Sequence, residues 1–166
     1  MMAALQLDLA PESWREINDG VMGGRSDSAM AATAEGLLFA GDLSLENNGG
    51  FASARRALDA DWSQARGIRL EVRGDGRSYQ FRIHQDRQFD GVSWRHPFSA
   101  GTRWQVVELW FEDFEPVFRG RLVPEAGSVE PVRIRQIGVL LADKQAGPFA
   151  LEIRRIEALT KRPAPD

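Results

Sequence analysis

The sequence has 166 residues, a formal net charge of −3 from 21 basic and 24 acidic side chains, and no cysteine. A chain of this length buries a core without disulfides, and we expect one domain over residues 1–166 with its core at about 14–156. The balanced charge disfavours non-specific nucleic-acid binding, and the lack of cysteine excludes disulfides, zinc–thiolate sites and cysteine nucleophiles. With His84 and His96 as the only imidazoles, we expect no metal, no cofactor and no catalytic residues.

Alternation of apolar and polar residues, typical of strands with one buried face, recurs along the chain. Two short segments differ: residues 29–34 are compatible with a short helix, and Asp61 could cap a single helical turn. A long helix is not predicted. Strands are predicted at residues 37–45, 51–57, 68–73, 79–84, 93–98, 104–111, 134–141 and 149–159.

The turns between these strands predict how they pair. Glycines at 74 and 76 suit a tight turn, which predicts a hairpin between residues 68–73 and 79–84 with exposed polar faces. Residues 106–110 are apolar on both faces apart from Glu108, which predicts a central strand. The alternation changes phase at Arg154 and Arg155, which predicts a β-bulge. The spacing as a whole favours an all-β fold, an antiparallel β-sandwich or jelly roll.

Two glycine-rich segments, residues 14–26 and 45–55, contain candidate binding groups. Glycine loops can approach an anion, but no helix or Lys-Ser/Thr pair follows the first segment, so a structural loop is favoured there. The second favours a plain turn, although Asn amides also bind sugar hydroxyls or calcium. Over the whole chain, the candidate ligand or partner contacts are Asp19, Met22, Ser26, Asn47, Asn48, Arg55, Trp94, Arg95, Phe114, Phe118 and Arg119.

An acidic, aromatic segment at residues 111–121 raises an enzymatic alternative. Its carboxylates Glu112, Asp113 and Glu115 could serve as acid and base in glycoside hydrolysis. Aromatics in an acidic loop are more typical of a lid over the core or a partner-binding patch, so we expect no enzyme. His84 is expected at the surface and His96 at a strand end.

These motifs, in their order and separations, resemble the complex I intermediate-associated protein 30 (CIA30) family. The resemblance covers about residues 14–156, nearly the whole chain. It implies a galactose-binding-domain-like β-sandwich of jelly-roll type and a non-catalytic role, since the best-known members are mitochondrial chaperones that assist assembly of respiratory NADH:ubiquinone oxidoreductase. The matching motifs are Asn18-Asp19-Gly20-Val21-Met22-Gly23-Gly24, Asn47-Asn48-Gly49-Gly50-Phe51-Ala52-Ser53, Gly74-Asp75-Gly76-Arg77, Asp113-Phe114, Phe118-Arg119-Gly120 and Asp143-Lys144-Gln145.

Features of the two ends and of the composition predict a location that differs from that of those members. The amino terminus lacks a signal-peptide pattern, Asp8 and Glu12 disfavour a mitochondrial presequence, and no apolar run approaches the ~20 residues of a transmembrane helix. The tail at residues 161–166 has a disordered composition. An excess of 19 Arg over 2 Lys is typical of a GC-rich bacterial genome, so we expect a soluble, cytoplasmic bacterial protein.

Two functional hypotheses follow for such a protein. The first is a binding or assembly factor with a protein partner, such as a respiratory complex I assembly intermediate. The second is a carbohydrate or small-ligand binding module that uses Asn47, Asn48, Trp94 and Arg95 in exposed loops.

Overall fold

The computed structural model describes residues 6–18, 24–46, 50–88 and 91–160. Within these ranges the regular elements are antiparallel strands and single-turn 3₁₀ helices, so the predicted all-β class is confirmed. The strands are β1 (Arg15–Glu16), β2 (Asp27–Ala32), β3 (Leu37–Leu43), β4 (Ala52–Ala57), β5 (Gly67–Gly74), β6 (Ser78–His84), β7 (Ser93–Ser99), β8 (Gln105–Trp110), β9 (Glu115–Phe118), β10 (Arg121–Leu122), β11 (Gln136–Leu141) and β12 (Gly147–Leu159). The 3₁₀ helices are Pro11–Ser13, Phe111–Asp113, Pro124–Ala126 and Pro131–Arg133.

The strands form two sheets that pack face to face. One is seven-stranded, in the order β1-β4-β11-β6-β7-β9-β10, and the other is five-stranded, in the order β2-β3-β12-β5-β8. Aromatic rings meet between them: Phe39 of β3 and Phe149 of β12 both contact Tyr79 of β6, with ring centroids 6.5 Å apart in each case. The predicted antiparallel sandwich is therefore confirmed, with its core between the two inner faces.

The predicted hairpin between β5 and β6 is wrong, because the two strands belong to different sheets. Both strands alternate as predicted, but their apolar faces enter the same core from opposite sides. Residues 74–77 cross from one sheet to the other, and the crossing is tied down by bonds from Gly74 N to Gly101 O (2.7 Å) and from Gly76 N to Ala100 O (2.8 Å). The polar faces of β5 and β6 therefore lie on opposite outer surfaces of the sandwich.

Other expectations for the strands have mixed outcomes. The eight predicted strands correspond to β3–β8, β11 and β12, with ends that differ by at most two residues. Residues 29–34, whose sequence is compatible with a short helix, instead lie mostly in β2, which pairs with β3. The central position expected for residues 106–110 is also wrong, since β8 is an edge strand on which Val106 is 58% exposed. The bulge is confirmed by a register shift between Ile153 and Arg155.

The turn expected after Asp61 is present, but it is not a helix. Asp61 Oδ1 accepts a bond from Ser63 N (3.0 Å), and Ala65 N donates to Trp62 O (2.8 Å). The side chain thus caps a single hydrogen-bonded turn that leads into β5.

Ion pairs cover the outer face of the five-stranded sheet. Arg69 of β5 contacts Glu108 of β8 at 2.8 Å, and Arg73 contacts Glu152 of β12 at 2.9 Å. The guanidinium groups of Arg73 and Arg154 lie 4.7 and 4.3 Å from the ring centroid of Trp104. On this face, arginine charge is matched by glutamate on a neighbouring strand.

A second, more buried pair holds the crossing at residues 74–77 against the loop that precedes β12. Arg77 donates to both carboxylate oxygens of Asp143, at 2.8 and 2.7 Å, and to the carbonyl of Pro148 at 3.0 Å. Its fork also reaches the carbonyls of Gln145 and Gly147. The guanidinium lowers the pKa of the Asp143 carboxyl below its ordinary value.

We expect Arg77→Met to destabilise the fold by about 3 kcal/mol, because it leaves the buried Asp143 carboxylate without its partner. The side chains of this pair are only 11% and 6% exposed. Arg69→Met is the matched control: its ion pair with Glu108 is exposed, and its loss should cost less than about 1 kcal/mol. Urea unfolding of the two variants measures the difference, and equal losses would contradict the structural role of Arg77.

A candidate ligand pocket on the seven-stranded sheet

A pocket of about 710 Å³ lies on the outer face of the seven-stranded sheet. Apolar parts of its wall come from Ile17, Phe51, Val117 and Leu140. Its polar lining groups are Ser53, Arg55, Arg82, His84, Ser93 and Arg119. A volume of this size is typical of small-molecule sites, which combine apolar walls with a few polar groups.

The register of four adjacent strands explains the charge of this pocket. Arg55 of β4 lies opposite Gly138 of β11, Gly138 lies opposite Arg82 of β6, and Arg82 lies opposite Arg95 of β7. Adjacent strands are about 4.8 Å apart, so three arginines lie within about 15 Å on one face. The same face therefore brings three guanidinium groups close together, and Arg95 among them contacts Glu115 at 3.5 Å.

Gly138 makes room between the arginines. A Cβ at this position would lie 2.7 Å from the carbonyl oxygen of Ala54, a contact that the backbone cannot accommodate without shifting. The missing side chain leaves open space on the pocket floor between Arg55 and Arg82. Close backbone packing thus requires glycine and creates the space at the same time.

Arg82 is fixed in the pocket by neutral partners. Its Nε donates to Gln80 Oε1 at 2.9 Å, and its Nη1 donates to Ser93 Oγ at 2.8 Å. Burial, followed by repulsion from Arg95 and Arg55, lowers the pKa of Arg82 to about 10. The guanidinium stays charged at neutral pH in surroundings that disfavour its charge.

His84, two residues after Arg82 on β6, is buried, so the expectation that it lies at the surface is wrong. It is only 4% exposed, because it ends β6 between Gln136 of β11 and Ser93 of β7. Burial, followed by repulsion from Arg55 and Arg82, lowers its pKa to about 3. In the described part of the chain its Nδ1 has no hydrogen-bond partner. The imidazole is therefore neutral at physiological pH, with one polar atom unsatisfied.

Three of the candidate residues from the sequence come together at this pocket. Arg55 and Arg119 line it, and Arg95 lies on the same face next to Arg82, with Glu115 of β9 at 3.5 Å. Arg119 adopts a positive φ of 51° after β9, and its guanidinium lies 5.1 Å from the ring centroid of Phe118.

Other candidates lie away from the pocket. Trp94 is buried, and its Nε1 donates to Gly127 O at 2.9 Å, so the expectation of an exposed loop position is wrong. Phe114 packs into the core against Phe81. Ser26 is buried and exchanges hydrogen bonds with the backbone of Ser44. Asp19, Met22, Asn47 and Asn48 lie outside the described residues.

The three carboxylates of the enzymatic alternative do not line the pocket. Glu112 and Asp113 lie in the 3₁₀ helix after β8, whereas Glu115 lies on β9 beside Arg95. Within the described ranges, no group of three or more His, Asp or Glu side chains is arranged to hold a metal ion. Nor does any helix in those ranges have the length and apolar character needed to cross a bilayer.

The polar centre of the pocket was not among the predicted contacts. Arg82, His84 and Gly138 were missed, although the alternation in β6 had already placed the first two on one face. Alternation alone predicts an exposed face there, because the sequence does not show that β6 lies between β11 and β7. The sheet order, rather than a motif, brings these residues together.

The fold of this chain is similar to that of solved carbohydrate-binding modules. The structure matches a family 11 carbohydrate-binding module from Clostridium thermocellum, determined in complex with a β-1,3-1,4-mixed-linked tetrasaccharide, with a TM-score of 0.69 over 98% of this chain and 99% of that one. A family 29 carbohydrate-binding module matches with a TM-score of 0.54 over 96% and 91%. Sequence identities of 17% and 9% limit this likeness to the fold.

The sequence identifies the family. Residues 6–153 match the sequence model of the family described as complex I intermediate-associated protein 30 (CIA30), and the chain belongs to that family. The mouse protein named complex I intermediate-associated protein 30, mitochondrial, is 31% identical over 90% of this chain and 52% of its own length. The Drosophila melanogaster protein of the same name is 32% identical over 61% of this chain and 36% of its own. The chain thus spans about half or less of these two relatives.

These relatives correct one expectation and leave another without support. The expected cytoplasmic location is wrong, because the similar curated relatives from mouse, fly and worm are all named as mitochondrial proteins. The expected bacterial origin finds no support among them, since they are animal proteins.

We expect the free energy of unfolding to fall as the pH decreases from about 6.5 towards 3, because unfolded His84 takes up a proton that the native imidazole rejects. The loss between pH 6.5 and 5 should reach about 1.6 kcal/mol, because the slope approaches about 1.4 kcal/mol per pH unit only below the pKa of about 6.5 of the unfolded imidazole. Urea unfolding across this range measures the slope. His84→Gln should remove this part of the slope and His96→Gln should retain it; equal slopes in the wild type and His84→Gln would contradict the burial of a neutral His84.

Proposed function

We propose that this chain is a non-enzymatic binding domain that acts in the assembly of respiratory complex I and contacts a protein partner. The observation that carries the proposal is the CIA30 family match over residues 6–153. The names of the mouse and fly relatives refer to a complex I intermediate, and the shared region is the part of them that this chain represents.

The chemistry of the pocket supports binding rather than catalysis. General acid–base chemistry needs a group that exchanges protons near neutral pH. The pKa of His84, about 3, lies far below neutral pH, so its imidazole stays neutral. The pKa of Arg82, about 10, is lowered but still lies well above neutral pH, so its guanidinium stays charged. Among the described lining residues there is no carboxylate to act with them.

Complementation in the source organism tests this function. Deletion of the gene should reduce the amount of assembled NADH:ubiquinone oxidoreductase, and the wild-type gene should restore it. Leu140→Glu places a bulky charged side chain in the pocket and should fail to restore assembly. Val106→Glu is the matched control, because Val106 is exposed on the other sheet.

Native gel electrophoresis of the respiratory complexes, with immunoblots for the level of each variant, gives the readout. Full assembly in the deletion strain would overturn the proposed role in complex I assembly. Full restoration by Leu140→Glu would show that the partner does not use the pocket.

Carbohydrate binding is the second candidate function, and it is favoured by the likeness to the family 11 module. The pocket itself offers less support. Sugar sites usually stack a ring on an aromatic platform, and Phe51 is the one aromatic residue among the described lining residues, since Trp94 faces the core.

Calorimetry with a β-1,3-1,4-mixed-linked tetrasaccharide separates the two candidates. We expect no heat of binding to this neutral sugar at millimolar concentration. Saturable binding that Leu140→Glu abolishes and Val106→Glu preserves would favour a carbohydrate module instead.

A further inference from the structure

The two outer faces of the sandwich differ in the partners of their arginine side chains. On the five-stranded sheet, Arg69 and Arg73 are paired with glutamates at 2.8 and 2.9 Å. On the seven-stranded sheet, the hydrogen-bond partners of Arg82 among the described residues are the neutral side chains of Gln80 and Ser93. Arg82 thus carries a charge without a described carboxylate beside it.

The sheet makes this charge costly. Arg82 lies directly opposite Arg95, which itself contacts Glu115 at 3.5 Å, and like charges at opposed positions on neighbouring strands repel each other. Burial and the nearby Arg55 add to the penalty, as the lowered pKa of Arg82 shows. A partly buried guanidinium whose described partners are neutral lacks an opposite charge, so an external anion would relieve part of the cost of its burial.

The guanidinium is also held ready to bind. Nε and Nη1 are fixed by Gln80 and Ser93, which leaves Nη2 without a hydrogen-bond acceptor in the described ranges. Arginine donates in a rigid planar fork that suits carboxylate and phosphate oxygens, and a fork fixed by two bonds loses little entropy on binding. The neutral imidazole of His84 also lines the pocket, with its Nδ1 buried away from the open space.

Part of the wall is apolar. Ile17, Phe51, Val117 and Leu140 line the pocket together with the polar groups, and the space of about 710 Å³ exceeds what a bare inorganic ion requires. A ligand that satisfies both parts has a charged oxyanion group at one end and an apolar body at the other.

We propose that the pocket binds an organic oxyanion, a carboxylate or phosphate group on an apolar body, with the oxyanion placed on the guanidinium of Arg82. This inference rests on the proposed use of the pocket as the binding site of the domain.

Isothermal titration calorimetry of the purified full chain tests the inference with four probes: phenyl phosphate, benzoate, inorganic phosphate and benzyl alcohol. We expect phenyl phosphate or benzoate to bind at least 10-fold more tightly than both inorganic phosphate, which lacks the apolar body, and benzyl alcohol, which lacks the charge. The tighter of the two aromatic anions identifies phosphate or carboxylate as the preferred group. Failure of both aromatic anions to bind at 10 mM, or equal binding of benzyl alcohol, overturns the inference.

Variants assign the binding to Arg82. Arg82→Gln should weaken binding of the aromatic anion at least 10-fold. Arg69→Gln, on the opposite sheet, should leave the affinity for this anion unchanged. Unchanged affinity in Arg82→Gln overturns the assignment. If Arg82→Gln does not fold by circular dichroism, Arg82→Lys keeps the charge but removes the planar fork, and it should also weaken binding at least 10-fold; unchanged affinity in Arg82→Lys then overturns it.

The complementation experiment keeps this inference separate from the proposed function. If neither aromatic anion binds but Leu140→Glu still fails to restore complex I assembly, the oxyanion inference falls and the proposed function stands. If Arg82-dependent binding is measured but deletion leaves complex I fully assembled, the role in assembly falls and the oxyanion site stands.

Discussion

The crossing at residues 74–77 is the constraint on which the rest of the structure depends. A hairpin at this turn would place β5 and β6 side by side in one sheet. Instead the turn carries the chain across the core, where Tyr79 meets Phe39 and Phe149 from the other sheet. The buried phenol of Tyr79 donates to Asp75 at 3.0 Å, and Asp75 also accepts from Ala150 N at 2.8 Å. These polar contacts thus hold the crossing that places β6 in the seven-stranded sheet.

The position of β6 then determines the chemistry of the outer surface. Because β6 lies between β11 and β7, its polar residues are on an interior strand of the seven-stranded sheet rather than on an exposed edge strand. The pKa of both Arg82 and His84 is lowered there for the same two reasons, burial and neighbouring arginines. Local sequence and distant topology therefore act together: the first supplies polar side chains, and the second removes water from around them.

The sequence predicts the positions of the strands well, but it predicts poorly which strands pair with each other. Alternation located eight strands and the phase change at Arg154 predicted the bulge, because both depend on local backbone geometry. Sheet assignment depends on contacts between residues far apart, so the same alternation could not show that β8 lies at an edge or that His84 is buried. Arg55, Arg95 and Arg119 are predicted as contacts and lie at or beside the pocket. The place of Arg82 in the pocket could be recognised only once the strand order was known.

Gly138 has a consequence for how this surface changes through evolution. Any larger residue there would force its Cβ towards the Ala54 carbonyl, 2.7 Å away, before it could reach a ligand. Selection for folding alone would therefore disfavour mutations that fill the floor of the pocket, whether or not the pocket is in use. The open space between Arg55 and Arg82 would then persist independently of any ligand, while the residues of the surrounding wall would be free to change.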